Sequence, residues 1–158
     1  MSNIDVALRL ALMAHEGQTD ADGEAAILHP LAVGLRGDTD EERATGFLCR
    51  ILHDERFSAD RLLDEGVADG TVYALEALLE SEAETPVESM RRVVMTDNPV
   101  AIQVRYNELM VLSARRGDDA SLAEALRIGG KAVADMKTVR LHTPSAEYAT
   151  AIFAAGCF

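Results

Sequence analysis

Apolar residues recur along most of the chain at spacings of three and four, as they do in amphipathic α-helices. The clearest run lies between positions 44 and 52, where Ala44, Phe47, Leu48, Ile51 and Leu52 share one helical face. No long stretch alternates apolar and polar residues in the way that a half-buried strand does. The pattern therefore predicts an all-α protein, with seven to nine helices in a single domain over 1–158.

Capping residues, prolines and glycines divide this pattern into elements. Asn3 or Asp5 is expected to cap the first helix, and Asp69 a helix near the middle of the chain. Gly129 and Gly130 are expected to break or kink a helix late in the chain. The predicted segments run approximately over 3–16, 29–36, 38–54, 58–65, 69–79, 85–95, 98–112, 118–136 (broken or kinked at the two glycines) and 146–155.

The composition limits the classes of partner. The chain has 158 residues and is 48% hydrophobic, which suits one sizeable core. Its formal net charge is −12, so it repels nucleic-acid backbones and anionic lipid. We therefore expect neither nucleic-acid nor membrane binding. An anionic small ligand would require local compensation by arginine or by a metal ion.

The cysteines and the N-terminus indicate a reducing compartment. Cys49 lies in an apolar run and Cys157 at the tail, so no disulfide is expected. The first residues lack a basic segment followed by an apolar core, and no stretch approaches the ~18 apolar residues of a membrane span. We expect a cytoplasmic protein.

Three stretches contain residues that can bind a metal ion. They are Ala14-His15-Glu16-Gly17-Gln18, Ile27-Leu28-His29-Pro30-Leu31-Ala32-Val33 and Leu52-His53-Asp54. Neutral imidazole and carboxylate both bind divalent metals. Each stretch alone is a weak signal, but their order and spacing together are fairly specific.

In this order, the stretches resemble the HD superfamily of metal-dependent phosphohydrolases. The resemblance is greatest to the small guanosine tetraphosphate hydrolases of the RelA/SpoT type, and it extends over about residues 5–112. It continues through Glu84-Thr85 and Arg91-Arg92-Val93. Residues 113–158 would form C-terminal helices and a tail.

The resemblance implies a set of site residues. His29, His53, Asp54 and Glu108 would bind one divalent metal ion, most often manganese. Arg105 occupies the position of a family lysine and would contact phosphate. The implied activity is hydrolysis of a nucleotide or of another small phosphate ester.

The chain also departs from the family pattern. A Glu-Asp pair that follows His-Asp in the family is missing, which leaves Glu55 as the nearest acid-base candidate. The loop after Gln18 carries Asp20 and Asp22 in place of basic residues. Hydrolysis of guanosine tetraphosphate is therefore not expected. The alternative is a catalytically degenerate relative that serves as a ligand-binding or protein-interaction module.

The tail carries several apolar residues, namely Ile152, Phe153 and Phe158. They are compatible with a contact between copies of the chain and equally with packing back onto the helices. The sequence leaves both alternatives open.

Overall fold

The computed structural model describes the backbone of residues 1–142 and the side chains of residues 1–138. Its eight α-helices and one 3₁₀ turn confirm the all-α prediction. The helices are α1 (Asn3–His15), α2 (Leu28–Leu35), α3 (Asp40–Phe47), α4 (Ala59–Asp64), α5 (Asp69–Leu78), α6 (Pro86–Met95), α7 (Pro99–Arg116) and α8 (Ala120–His142), with the 3₁₀ turn at Ile51–His53. In this part of the chain the only β-type pairing is one isolated bridge, between Thr19 and Ala25.

The helix predicted to continue to Asp54 ends earlier, at Phe47. From there the backbone winds more tightly, because Ile51 N–H donates to the Leu48 carbonyl and Asp54 N–H to the Ile51 carbonyl. Three residues per turn place Leu48 and Ile51 on the same side, and both are buried. This tighter winding was not predicted, and it changes the direction of the side chains that follow.

Two glycines set the close packing of α2 against α3. A Cβ on Gly34 would overlap the Phe47 ring, and one on Gly46 would lie 2.6 Å from the Gly34 Cα. The two backbones therefore approach each other more closely than larger residues would permit. This contact brings the end of α3 next to the start of α2.

The first helix is capped by Ser2 rather than by Asn3 or Asp5. Asp5 is the capping-box partner of Ser2, and its carboxylate accepts from the Ser2 N–H. The Asn3 side chain instead accepts a hydrogen bond from the Ala68 N–H at 3.0 Å, at the start of α5. The predicted Asp69 cap is therefore wrong, because a residue distant in sequence satisfies that helix end.

Gly129 and Gly130 do not break the last described helix, since α8 runs through both. A Cβ on Gly129 would lie 2.8 Å from the Met90 sulfur and 3.0 Å from the Tyr106 ring. The glycine thus allows α8 to lie close to α6 and α7. The predicted segment 146–155 and the tail residues Ile152, Phe153 and Phe158 lie outside the described residues.

The buried core consists mainly of aliphatic side chains from α1, α3, α5, α6 and α7. Helix α7 lies centrally: it packs against α2, α3, α5, α6 and α8. Among the described residues, no helix is both long and apolar enough to cross a membrane. The central position of α7 explains why its polar residues become buried beside the candidate site.

Candidate functional site: an arginine-lined cleft around Glu108

Glu108 is a buried carboxylate near the middle of α7. Its side chain is 3% exposed, and it contacts Arg105 one turn earlier on the same helix. Arg50 Nη2 lies 3.3 Å from Oε1 of Glu108, and His29 Nε2 lies 3.5 Å from Oε2. Burial by itself would raise the pKa of Glu108, but Arg105, His29 and Arg50 lower it to about 2. Glu108 is therefore ionised and is surrounded by positive groups.

Arg50 reaches Glu108 because α3 ends early. It lies in the turn between α3 and the 3₁₀ segment, between the buried residues Leu48 and Ile51. Burial lowers the pKa of Arg50, but Glu108, Cys49 and Glu80 together more than offset this, and the net direction is upward. The cleft thus contains a permanent cation that is half buried.

Cys49 lies beside the same carboxylate. One ligand atom each from His29, Cys49 and Glu108 falls within 4.8 Å of the others. Burial, followed by the charge of Glu108, raises the pKa of the Cys49 thiol well above its usual value. Cys49 is therefore a protonated thiol that packs against the site.

Asp54 is bound by Arg56 rather than directed towards Glu108. Arg56 Nε lies 3.0 Å from Oδ1 of Asp54 and 3.1 Å from Oδ2, while Nη2 lies 2.6 Å from Oδ2. Arg56 Nη2 also donates to the Ala14 carbonyl at 3.0 Å, which anchors it to the end of α1. These hydrogen bonds lower the pKa of Asp54 to about 2. His53, the preceding residue, is exposed.

As arranged, the predicted metal ligands do not fit a four-ligand site. The structure brings His29 and Glu108 together, but His53 and Asp54 are not members of the cluster that they form with Cys49. Both carboxylates are paired with guanidinium groups, which would repel a divalent cation. Binding by all four residues would require Arg56 to release Asp54 and the arginines to leave Glu108. The metal set remains a prediction.

Two cavities lie on either side of Arg50. The first has a volume of about 530 Å³ and includes His15, Gln18 and His29 in its lining. The second, of about 280 Å³, lies beside Glu80, Glu84 and Arg105. Arg50, Leu112 and Arg116 line both cavities. We call the two cavities together the Arg50 cleft.

The other predicted residues differ in how they relate to this cleft. Arg105 lines the second cavity, but it is 5% exposed and also contacts Glu80 and donates to the Leu78 carbonyl at 2.9 Å. Its guanidinium therefore holds α7 to the end of α5. Glu55 is exposed, and it has no hydrogen bond or ion pair among the side chains described here. Its assignment as an acid-base residue stays a prediction.

His15 and Arg115 both line the first cavity. Burial lowers the pKa of His15, although the nearby Asp54 raises it in part. Arg115 forms ion pairs across the cavity to the loop that follows α1. His15 is thus neutral near pH 7, whereas Arg115 is charged.

Sequence reasoning missed four residues that shape the site: Cys49, Arg50, Arg56 and Arg115. Arg50 gave a usable signal, because it is a charge inside an otherwise apolar run, Phe47 to Leu52. A charge at such a position is expected to have a buried partner. Arg115 gave no comparable signal, since its partners lie more than 90 residues away in the chain.

Comparison of the sequence with protein-family models and with curated proteins finds no match. The likeness to HD-type phosphohydrolases therefore rests on the motifs given above.

Proposed function

We propose that this chain is a catalytically degenerate HD-type protein whose Arg50 cleft binds a small phosphate-containing anion without hydrolysing it. The observation that carries the proposal is the pairing of both predicted acidic metal ligands with arginine. Asp54 is bound by Arg56, and Glu108 contacts Arg105 and Arg50. A carboxylate whose oxygens already accept from guanidinium groups is a poor ligand for a cation.

The arginines that line the cleft support an anionic ligand. Arg50 and Arg116 are positioned between the two cavities, and Arg115 lies beside the first. Guanidinium groups bind phosphate through paired hydrogen bonds. Carboxylates line the same two cavities, namely those of Asp20, Asp22, Glu80, Glu84 and Glu108. The support for a small anion therefore comes mainly from Arg116, which forms no ion pair within the part of the chain that the structure describes.

The second candidate is an HD-family metal-dependent phosphohydrolase that acts on a nucleotide or small phosphate ester. It is favoured by the approach of His29 Nε2 to within 3.5 Å of Oε2 of Glu108. His29 Nε2 is buried and has no hydrogen bond within the described part of the chain. Two of the four predicted metal ligands are thus adjacent, and one has an unused nitrogen.

Calorimetry and a phosphate-release assay separate the two candidates. Titration of the protein with inorganic pyrophosphate and with a panel of nucleotides should detect binding without added metal. Arg116→Gln should weaken it roughly tenfold, because one charge-assisted contact is lost. Arg50→Gln should do the same. The matched control is Arg127→Gln, which removes a surface arginine that is paired with Glu124 on α8.

The same ligands are then incubated with manganese. We expect no phosphate release and no manganese-dependent rise in melting temperature. Turnover that requires manganese and is lost in His53→Ala would favour the phosphohydrolase. Absence of binding for every ligand in the panel would exclude the proposed role.

A further inference from the structure

The loop between α1 and α2 is held together by hydrogen bonds within itself. Thr19 pairs with Ala25, and Asp20 N–H donates to the Glu24 carbonyl at 2.8 Å. Asp20 Oδ1 also accepts from the backbone N–H groups of Asp22 and Glu24, at 2.9 and 3.0 Å. The backbone therefore presents its acidic side chains as a fixed set. We call residues 18–26 the acidic loop.

One guanidinium nitrogen of α7 binds this set. Arg115 Nη2 lies 2.8 Å from the Glu24 carboxylate, 3.0 Å from Asp20 and 3.9 Å from Asp22. The hydrogen bond from Arg115 is also the main reason that the pKa of Asp20 is lowered. Asp20 uses Oδ2 for Arg115 and Oδ1 for its own loop, so the two sets of contacts are separate.

These ion pairs cross the first cavity of the Arg50 cleft. The acidic loop lines one side of that cavity through Gln18, Asp20 and Asp22. Helix α7 lines the other through Leu112, Arg115 and Arg116. An anion that enters the cavity would therefore meet an arginine whose contacts are already satisfied by carboxylates of the same chain.

We propose that the acidic loop is an internal anion that competes with the ligand for Arg115. This inference rests on the proposed function and adds a form of self-inhibition to it. A ligand gains Arg115 only by displacing the loop carboxylates. A singly charged anion gains little binding free energy from that exchange, whereas a diphosphate group can contact Arg115 and Arg116 together. The cleft therefore selects multiply charged phosphates.

The experiment compares inorganic pyrophosphate with inorganic phosphate by calorimetry at low ionic strength. The variant Asp20→Asn/Glu24→Gln removes the competing charges but keeps the acceptor that Asp20 offers to its own loop. Pyrophosphate affinity should rise on the order of threefold to tenfold, because exposed ion pairs are individually weak. The matched control, Glu124→Gln/Asp135→Asn, removes two charges on α8 and should leave the affinity unchanged.

A double-mutant cycle tests whether the gain acts through Arg115. In an Arg115→Ala background, removal of the loop charges should no longer raise the affinity. A gain that persists without Arg115, or that the α8 control reproduces, would overturn the competition. So would equal affinities of the wild type and the loop variant. If neither protein binds pyrophosphate, the proposed function itself fails.

Discussion

Glu108→Gln tests the charge balance at the centre of the cleft. Glutamine has almost the same shape as glutamate, so the substitution removes the negative charge and leaves the packing unchanged. Arg105, which is 5% exposed, would lose one of its two carboxylate partners, and Arg50 would lose its own. The variant should fold, but with lower stability.

The expected decrease in the free energy of unfolding of Glu108→Gln can be obtained in two ways. The pKa of Glu108 is lowered from 4.5 to about 2, and at about 1.4 kcal/mol per pKa unit this corresponds to about 3 kcal/mol. Removal of one partner from a buried ion pair costs about 3–5 kcal/mol in other proteins. The glutamine oxygen still accepts a hydrogen bond, so we expect about 2–4 kcal/mol. In a domain of this size, a loss of about 3 kcal/mol lowers the melting temperature by roughly 6–12 °C.

The assay is urea unfolding of both proteins between pH 7 and pH 3. A carboxylate whose pKa is lowered by folding stabilises the protein above its unfolded pKa, and this stabilisation is lost as the pH falls towards the folded pKa. The difference in the free energy of unfolding between wild type and variant should therefore be complete above about pH 5.5. It should shrink as the pH falls from 4.5 towards 2. Asp54 titrates in both proteins, so the comparison isolates Glu108.

Two results would refute this reasoning. One is equal stability of the two proteins at pH 7, which would mean that the ion pairs between Glu108 and the arginines contribute no net stability. The other is a difference of the same size at pH 3 and pH 7, which would assign the loss to packing. Glu124→Gln, at a solvent-exposed pair on α8, is the control and should have no measurable effect.

Two further predictions concern packing and reactivity. Gly34→Ala should destabilise the protein by about 1–3 kcal/mol in urea unfolding, because the new Cβ would overlap the Phe47 ring. Gly130→Ala is the matched control and should be neutral or slightly stabilising, because the nearest atom to its new Cβ would lie 3.7 Å away. Equal losses of unfolding free energy in the two variants would contradict the explanation by close approach of α2 and α3. In a Cys157→Ser background, Cys49 should react with a thiol reagent at pH 8 far more slowly in the native protein than in urea, because burial raises the pKa of its thiol. Equal rates in the two conditions would show that the thiol is accessible.

Local patterns were enough to predict the helices and most of their ends. Thr85 and Pro86 start α6, and Asn98 and Pro99 start α7, as the capping and proline rules indicate. These features depend on neighbours within one turn, which the sequence shows directly. The sequence also singled out His29 and Glu108, which the fold brings together across two helices.

The tertiary structure decided which charges meet. Arg50 reaches Glu108 only because the chain winds into a 3₁₀ turn after Phe47, and that winding depends on burial of Leu48 and Ile51. Arg56 holds Asp54 because its guanidinium is anchored at the end of α1. Helix periodicity identifies the residues that face the core, but partners far apart in sequence are set by the packing of the helices. The sequence thus determined an all-α chain with candidate ligands, whereas the fold determined that arginines pair with their carboxylates.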